Sequence, residues 1–199
     1  MIEDCTGLIL AGGDSRRMGR DKTLLEIDGK TLLQRAVDAL REVFPQVLVS
    51  VRRRRGDVDA PQVLDEIPDA GPLAGVCAGL ARAGTPWVFA AAADMPFLDA
   101  APIRALAARR GDFEAVVPVV QGHPQPLAAF YAARALPALR DVLAQPGRPG
   151  LRAALERLDV CLVHEDDIRP ADPSLRGFID LDTPGDVAAT LGDAARTNP

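Results

Sequence analysis

The residues with the clearest chemical potential stand together in the segment LAGGDSRRMGRDK, residues 10 to 22. Between Arg16 and Lys22 it places Arg16, Arg17, Arg20 and Lys22 against a single acid, Asp21. Gly12 and Gly13 remove side chains where a backbone must come close to a ligand, and successive amides in such a turn form an anion-binding nest. An arginine there presents a fork to a triphosphate, and Lys22 offers a compact charge where negative charge develops in phosphoryl transfer. Neither common phosphate motif is present. The spacing of Gly12, Gly13 and Gly19 does not fit GxGxxG, and Lys22 follows Gly19 by three residues, unlike GxxxxGK[ST]. A solvated basic loop that happens to contain glycines is the competing explanation.

Several acids add to this. Asp94 follows an apolar run, Trp87 to Ala93, and precedes Met95 and Pro96. Magnesium is typically held by one or two carboxylates with phosphate oxygens and waters, which suits Asp94; capping of the next turn is the alternative. Asp65 precedes GPLAGVCAGL at residues 71 to 80, where Gly71 and Gly75 let backbone approach a base. A carboxylate there can accept from base amino and imino groups or from a ribose hydroxyl, although Pro72 is also a good first-turn helix residue. In FIDLDTPGDV, which carries Asp180 and Asp182, Asp182 with Thr183 suits a helix cap. His123 is equally a turn histidine or a substrate contact. The run Arg52 to Arg55 reads as a solvated turn, with contact to a phosphorylated ligand as the competing reading.

The elements that must hold these residues are legible as an alternation. An apolar run from Cys5 to Ala11 reads as a buried strand entering a loop. After the turn pair Asp28 and Gly29, apolar residues recur with helical spacing from Leu33 to Phe44, capped by Thr31 with Gln34 and stopped by Pro45. Strands are expected at Val47 to Val51, Gln62 to Asp65, Trp87 to Ala93, Ala115 to Val119, Asp159 to Val163 and Phe178 to Leu181. The segment Leu127 to Ala132 reads as a further strand, antiparallel to the rest. Helices are expected at Leu73 to Ala81, Asp99 to Arg110, Ala133 to Ala144, Gly150 to Leu158 and from Thr183 onward. The pattern implies an α/β fold, a doubly wound and mostly parallel sheet with helices on both faces, which binds ligands outside the carboxyl ends of its strands. The basic loop, Ser50 and Asp94 all fall at that end. One domain spanning residues 1 to 199 is expected, with a frayed tail over 192 to 199.

Composition narrows the partners. The 199 residues are 48% apolar and carry a net charge of −5, which argues against a surface that holds a nucleic acid through many phosphates. The apolar runs are too short to span a bilayer, and the chain reads as soluble and cytoplasmic. Cys5, Cys77 and Cys161 show no metal-binding spacing and read as buried, reduced thiols.

The first loop closely resembles LAGGxSxRMGxDK, the signature of the molybdenum cofactor guanylyltransferases, a branch of the nucleotidyltransferases that includes the sugar-nucleotide pyrophosphorylases. Leu10, Ala11, Gly12, Gly13, Ser15, Arg17, Met18, Gly19, Asp21 and Lys22 occupy its fixed positions. Asp65 with GPLAG and Asp94 with the following Met-Pro resemble the next two signatures. The resemblance implies a Rossmann-like nucleotidyltransferase fold. Its loop residues Leu10, Ala11, Gly12, Gly13, Ser15 and Lys22 would hold GTP with Ser50, Asp65, Gly71 and Asp94. Lys22, Arg17 and Asp94 would be catalytic, with Mg2+ on Asp94. Ser50 stands where relatives commonly carry asparagine, and Asp180 and Asp182 replace two asparagines of an N-x-N-T-P segment. For these two acids the resemblance implies a second metal contact or a contact to polar groups of a substrate. The stretch HPQPLAAFY, with His123, resembles the lining of the acceptor half. The implied acceptor is molybdopterin or its metal-loaded form, and transient contacts with other proteins of the cofactor pathway are conceivable partners. AGG and GPLAG favour GTP over CTP. Still open are a guanylyl- or cytidylyltransferase acting on another phosphorylated acceptor and a non-catalytic GTP-binding or cofactor-carrier module.

Overall fold

The computed structural model describes residues 1–12, 22–65, 67, 70–147 and 149–181. At its centre is β1 (Cys5–Leu10), flanked in parallel by β4 (Gln46–Val51) and β6 (Trp87–Ala92). β5 (Gln62–Leu64) extends the sheet beyond β4, again in parallel. Beyond β6 lies β9 (Ala128–Ala132), antiparallel to both β6 and β7 (Ala115–Val120), and β10 (Val160–His164) closes that edge in parallel with β7. The order is β10-β7-β9-β6-β1-β4-β5, with β8 (His123–Pro124) folded back on β7. Strands covered on both faces bury nearly every side chain, which is why β1, β6 and β9 read as unbroken apolar runs.

One face carries α1 (Leu32–Arg41), α3 (Ala100–Ala107) and α6 (Glu165–Ile168). The Gln34 amide donates to Thr31 Oγ1 at 3.1 Å, the expected cap of α1. Before it, Asp28 and Gly29 both take positive φ, closing the two-residue hairpin between β2 (Glu26–Ile27) and β3 (Lys30–Thr31). This face packs around three rings, with Phe89 centred 5.8 Å from Phe44 and 4.8 Å from Phe130. The opposite face carries α2 (Pro72–Ala83), α4 (Leu136–Leu143) and α5 (Leu151–Leu155).

The α/β, mostly parallel architecture is the expected one, and β9 is antiparallel as expected. Other elements differ. Phe178 to Leu181 is not a strand: Arg176–Phe178 forms a 3-10 turn and residues 179 to 181 run on without a ladder. Buried Asp172 fixes that turn by accepting from the Gly177 amide at 2.8 Å, while the Leu181 amide bonds the Asp94 carbonyl at 3.1 Å. Two elements, β8 and α6, are too short to leave a periodic signal. The helix expected from Ala133 starts as a 3-10 turn, Ala133–Ala135, before Pro137 enters the first turn of α4. Cys5 and Cys77 are buried, but Cys161 on edge strand β10 is only half-buried. The helix expected from Thr183 and the tail over 192 to 199 lie outside the described residues. Among the described residues no helix is long and apolar enough to cross a membrane.

Candidate nucleotide site

The ladder brings the strand ends into line. Leu10 of β1 pairs with Ser50 of β4 on one side and Ala92 of β6 on the other, and Ser50 pairs in turn with Val63 of β5. From this row the chains leave the sheet together. The Ala11 amide bonds Ser50 O at 2.9 Å, the Ala93 amide bonds Leu10 O at 3.1 Å, and the Asp65 amide bonds Val51 O at 3.3 Å. A cleft of about 560 Å3 opens over these ends.

Residues far apart in sequence meet in that cleft. Leu10, Ala11, Gly12 and Lys22 line it from the first loop, Ser50 and Asp65 from the ends of β4 and β5, and Asp94 from beyond β6. Gly71 stands at the start of α2 with φ of +74°, a conformation glycine adopts without strain. Asp180 enters from the C-terminal crossing, held beside Asp94 by the Leu181 to Asp94 backbone bond. Gly13, Ser15, Arg17 and Asp182 lie outside the described residues. His123 is not among the lining residues; it is exposed in β8, its Nδ1 2.7 Å from the Gln121 carbonyl, after a turn in which Gln121 and Gly122 take positive φ. Its neighbours Pro124 to Leu127 do reach the cleft.

Gly75 lines the cleft, and with Gly79 it also sets how close α2 comes to the sheet. A Cβ on Gly75 would lie 2.7 Å from Ser50 Oγ and 2.9 Å from Leu10 Cδ2, and one on Gly79 would lie 2.3 Å from Leu8 Cδ2. They let α2 sit close against the strand ends, one helical turn apart. In the space this leaves, Ser50, only 1% exposed, donates from Oγ to Asp65 Oδ1 at 2.5 Å.

The arginine run divides. Arg53 and Arg54 are exposed, whereas Arg52 lines the cleft and Arg55 is clamped. Arg55 donates twice to Asp57, at 3.1 and 2.7 Å, and once to Thr23 Oγ1 at 2.9 Å. The Arg55 hydrogen bonds hold the Asp57 carboxyl below the usual carboxylate range. Through Thr23 the β4–β5 connection therefore grips the residue next to Lys22. Arg152 of α5 also lines the cleft, and no motif pointed to it.

A doubly wound sheet that gathers a lysine, two strand-end acids and close-approaching glycines over its carboxyl edge defines a nucleotide-binding α/β protein. The chain belongs to the MobA-like NTP transferase domain family, whose model matches residues 7–161. It is 32% identical to a probable molybdenum cofactor guanylyltransferase of Methanosarcina mazei, covering 95% of this chain and 91% of that protein. It is 36% identical to the probable molybdenum cofactor guanylyltransferase of Chloroflexus aggregans, over 97% of this chain and 96% of the relative. The crystal structure of molybdopterin-guanine dinucleotide biosynthesis protein A from Archaeoglobus fulgidus superposes with a TM-score of 0.85 at 26% identity, covering 96% of this chain and all of that one. The protein is a nucleotidyltransferase.

Proposed function

We propose that this chain, as a single nucleotidyltransferase domain, transfers GMP from GTP to the terminal phosphate of molybdopterin and releases pyrophosphate. The observation that carries the reading is the meeting of Lys22, Asp94 and Asp65 in one cleft of nucleotide size. An oxygen of the acceptor phosphate attacks the α-phosphorus of GTP; a P–O bond forms there while the bond to the β-phosphate oxygen breaks. A phosphomonoester with its second pKa near ~6 is largely dianionic at neutral pH, so no protein base is needed. The Lys22 ammonium neutralises charge on the triphosphate, and the backbone at Gly12 lets the nucleotide approach without a side chain in the way.

The donor set fits magnesium. Asp94 and Asp180 both line the cleft, and among the described residues no group of three or more His, Cys, Asp or Glu side chains gathers. One or two carboxylates completed by phosphate oxygens and water is the habit of Mg2+ rather than of zinc or calcium. When bound, the ion would neutralise triphosphate charge; Asp94 would hold it, with Asp180 as a second contact.

The test is pyrophosphate release from Mg-GTP with molybdopterin as acceptor. Lys22→Ala and Asp94→Ala are each expected to lower turnover by two or more orders of magnitude, roughly what loss of one charge-stabilising group costs, with unchanged circular dichroism. Wild-type turnover in either variant overturns the assignment.

A further inference from the structure

The carboxylate of Asp65 is asymmetrically committed. Its Oδ1 accepts from the buried Ser50 hydroxyl at 2.5 Å. Its Oδ2 faces the gap left by Gly12, where a Cβ would stand 3.2 Å from it. A Cβ on Gly75 would meet both Ser50 Oγ, at 2.7 Å, and Asp65 Oδ1, at 3.4 Å, so α2 walls the pair in from above the sheet. The Ser50 side chain has no solvent to turn to, being 1% exposed. Its hydroxyl proton is therefore committed to Asp65.

The gap at Gly12 has a second neighbour. Arg52 Cγ lies 3.4 Å from the point a Gly12 Cβ would occupy, and Arg52 lines the same cleft. An acceptor oxygen and an arginine around one opening match the edge of guanine, which offers N–H groups at N1 and the exocyclic amine together with acceptors at O6 and N7. A ribose hydroxyl, which both donates and accepts, is the competing occupant, and 2′-deoxy-GTP separates the two.

Building on the GTP reading above, we propose that Ser50 is a positioning residue for base recognition: it occupies Asp65 Oδ1 so that Oδ2, on the cleft lining beside Gly12, accepts from the exocyclic amino group of guanine.

Equilibrium binding of the full chain to GTP, to ITP, which lacks that amino group, and to 2′-deoxy-GTP, all with magnesium, scores the proposal without an acceptor. Wild type is expected to prefer GTP over ITP by about tenfold or more, the usual worth of a hydrogen bond to a charged group. Ser50→Ala should bring that ratio to within about twofold of unity by weakening GTP alone, leaving ITP binding and the GTP to deoxy-GTP ratio unchanged. Asp65→Asn, which keeps the shape and an acceptor for Ser50, should abolish or invert the GTP preference, and combining it with Ser50→Ala should add nothing further. A Ser50→Ala protein that keeps the wild-type GTP to ITP ratio overturns the positioning role. Asp65→Asn with an unchanged ratio, or loss falling on the GTP to deoxy-GTP ratio instead, overturns the contact to the base. Normal nucleotide discrimination without pyrophosphate release would count against the transferase reading alone.

Discussion

Arg152 shows what a single side chain contributes when it arrives by packing and not by motif. α5 shares its apolar layer with Leu127, through Leu151 and Leu155, and Leu127 belongs to the segment Pro124 to Leu127 that walls the cleft away from Ser50 and Asp65. A permanently charged fork on that side suits the phosphate of the acceptor better than that of GTP. A charge-assisted contact of this kind is worth roughly 1.5–3 kcal/mol, or about 10–100-fold in affinity. Arg152→Ala is therefore expected to raise KM for molybdopterin by at least about tenfold while KM for GTP stays within twofold, with Arg152→Lys intermediate. Equal effects on both KM values would place Arg152 on the nucleotide. The contrast with Lys22 is instructive: Lys22 stands in a local pattern that names its chemistry, whereas nothing around Arg152 distinguishes it from the other surface arginines.

Between elements, the decisive dimension is the distance of α2 from the sheet. Gly75 and Gly79, one turn apart, face Ser50, Leu10 and Leu8, and Leu8 is fully buried, with little room to yield. Gly79→Ala gains about 1 kcal/mol of helix propensity but forces a methyl group to 2.3 Å from Leu8 Cδ2, and overpacking of this kind typically costs ~1–3 kcal/mol. A lower urea midpoint for Gly79→Ala is the expected outcome, with Leu8→Ala costing less in the Gly79→Ala background than in wild type; a variant as stable as wild type would mean that α2 can lift without loss. Elements defined by local patterns were legible from sequence alone: the apolar run of β1, the Thr31 cap with its Gln34 partner, the antiparallel segment after Leu127. The packing role of Gly75 and Gly79 was not, because a glycine that admits a ligand, one that admits a neighbouring strand and one that does both look identical in sequence. Phe178 to Leu181 misled for a related reason. Its apolar residues suggest a strand, but only Phe178 and Leu181 are buried while Ile179 and Asp180 are exposed, and a backbone bond to Asp94 and the Asp172 anchor hold it in place of a ladder. His123 lies outside the cleft lining because the β7–β8 hairpin turns it outward while carrying the next four residues in.

For the molecule as a whole, a site drawn from eight separate stretches of chain exists only while the central sheet is intact, and the three thiols report on that directly. Cys5 lies in the middle strand and Cys77 in the helix packed over it, both fully buried, while Cys161 sits half-buried on the edge. Burial pushes the Cys5 thiol up to about 12, so almost no thiolate forms at ordinary pH and reaction must wait for the sheet to open. At pH 8 an aromatic disulfide reagent is expected to titrate one thiol quickly, a reaction lost in Cys161→Ser, and the other two at a slow rate set by global opening. Mg-GTP binds only the closed sheet, so it should slow Cys5 and Cys77 by the factor 1 + [GTP]/Kd, about a hundredfold at a hundred times Kd, without touching Cys161. If the slow thiols react at the same rate with and without nucleotide, then the cleft forms and dissolves independently of the central strands, and the row of Leu10, Ser50 and Ala92 is not what holds it together.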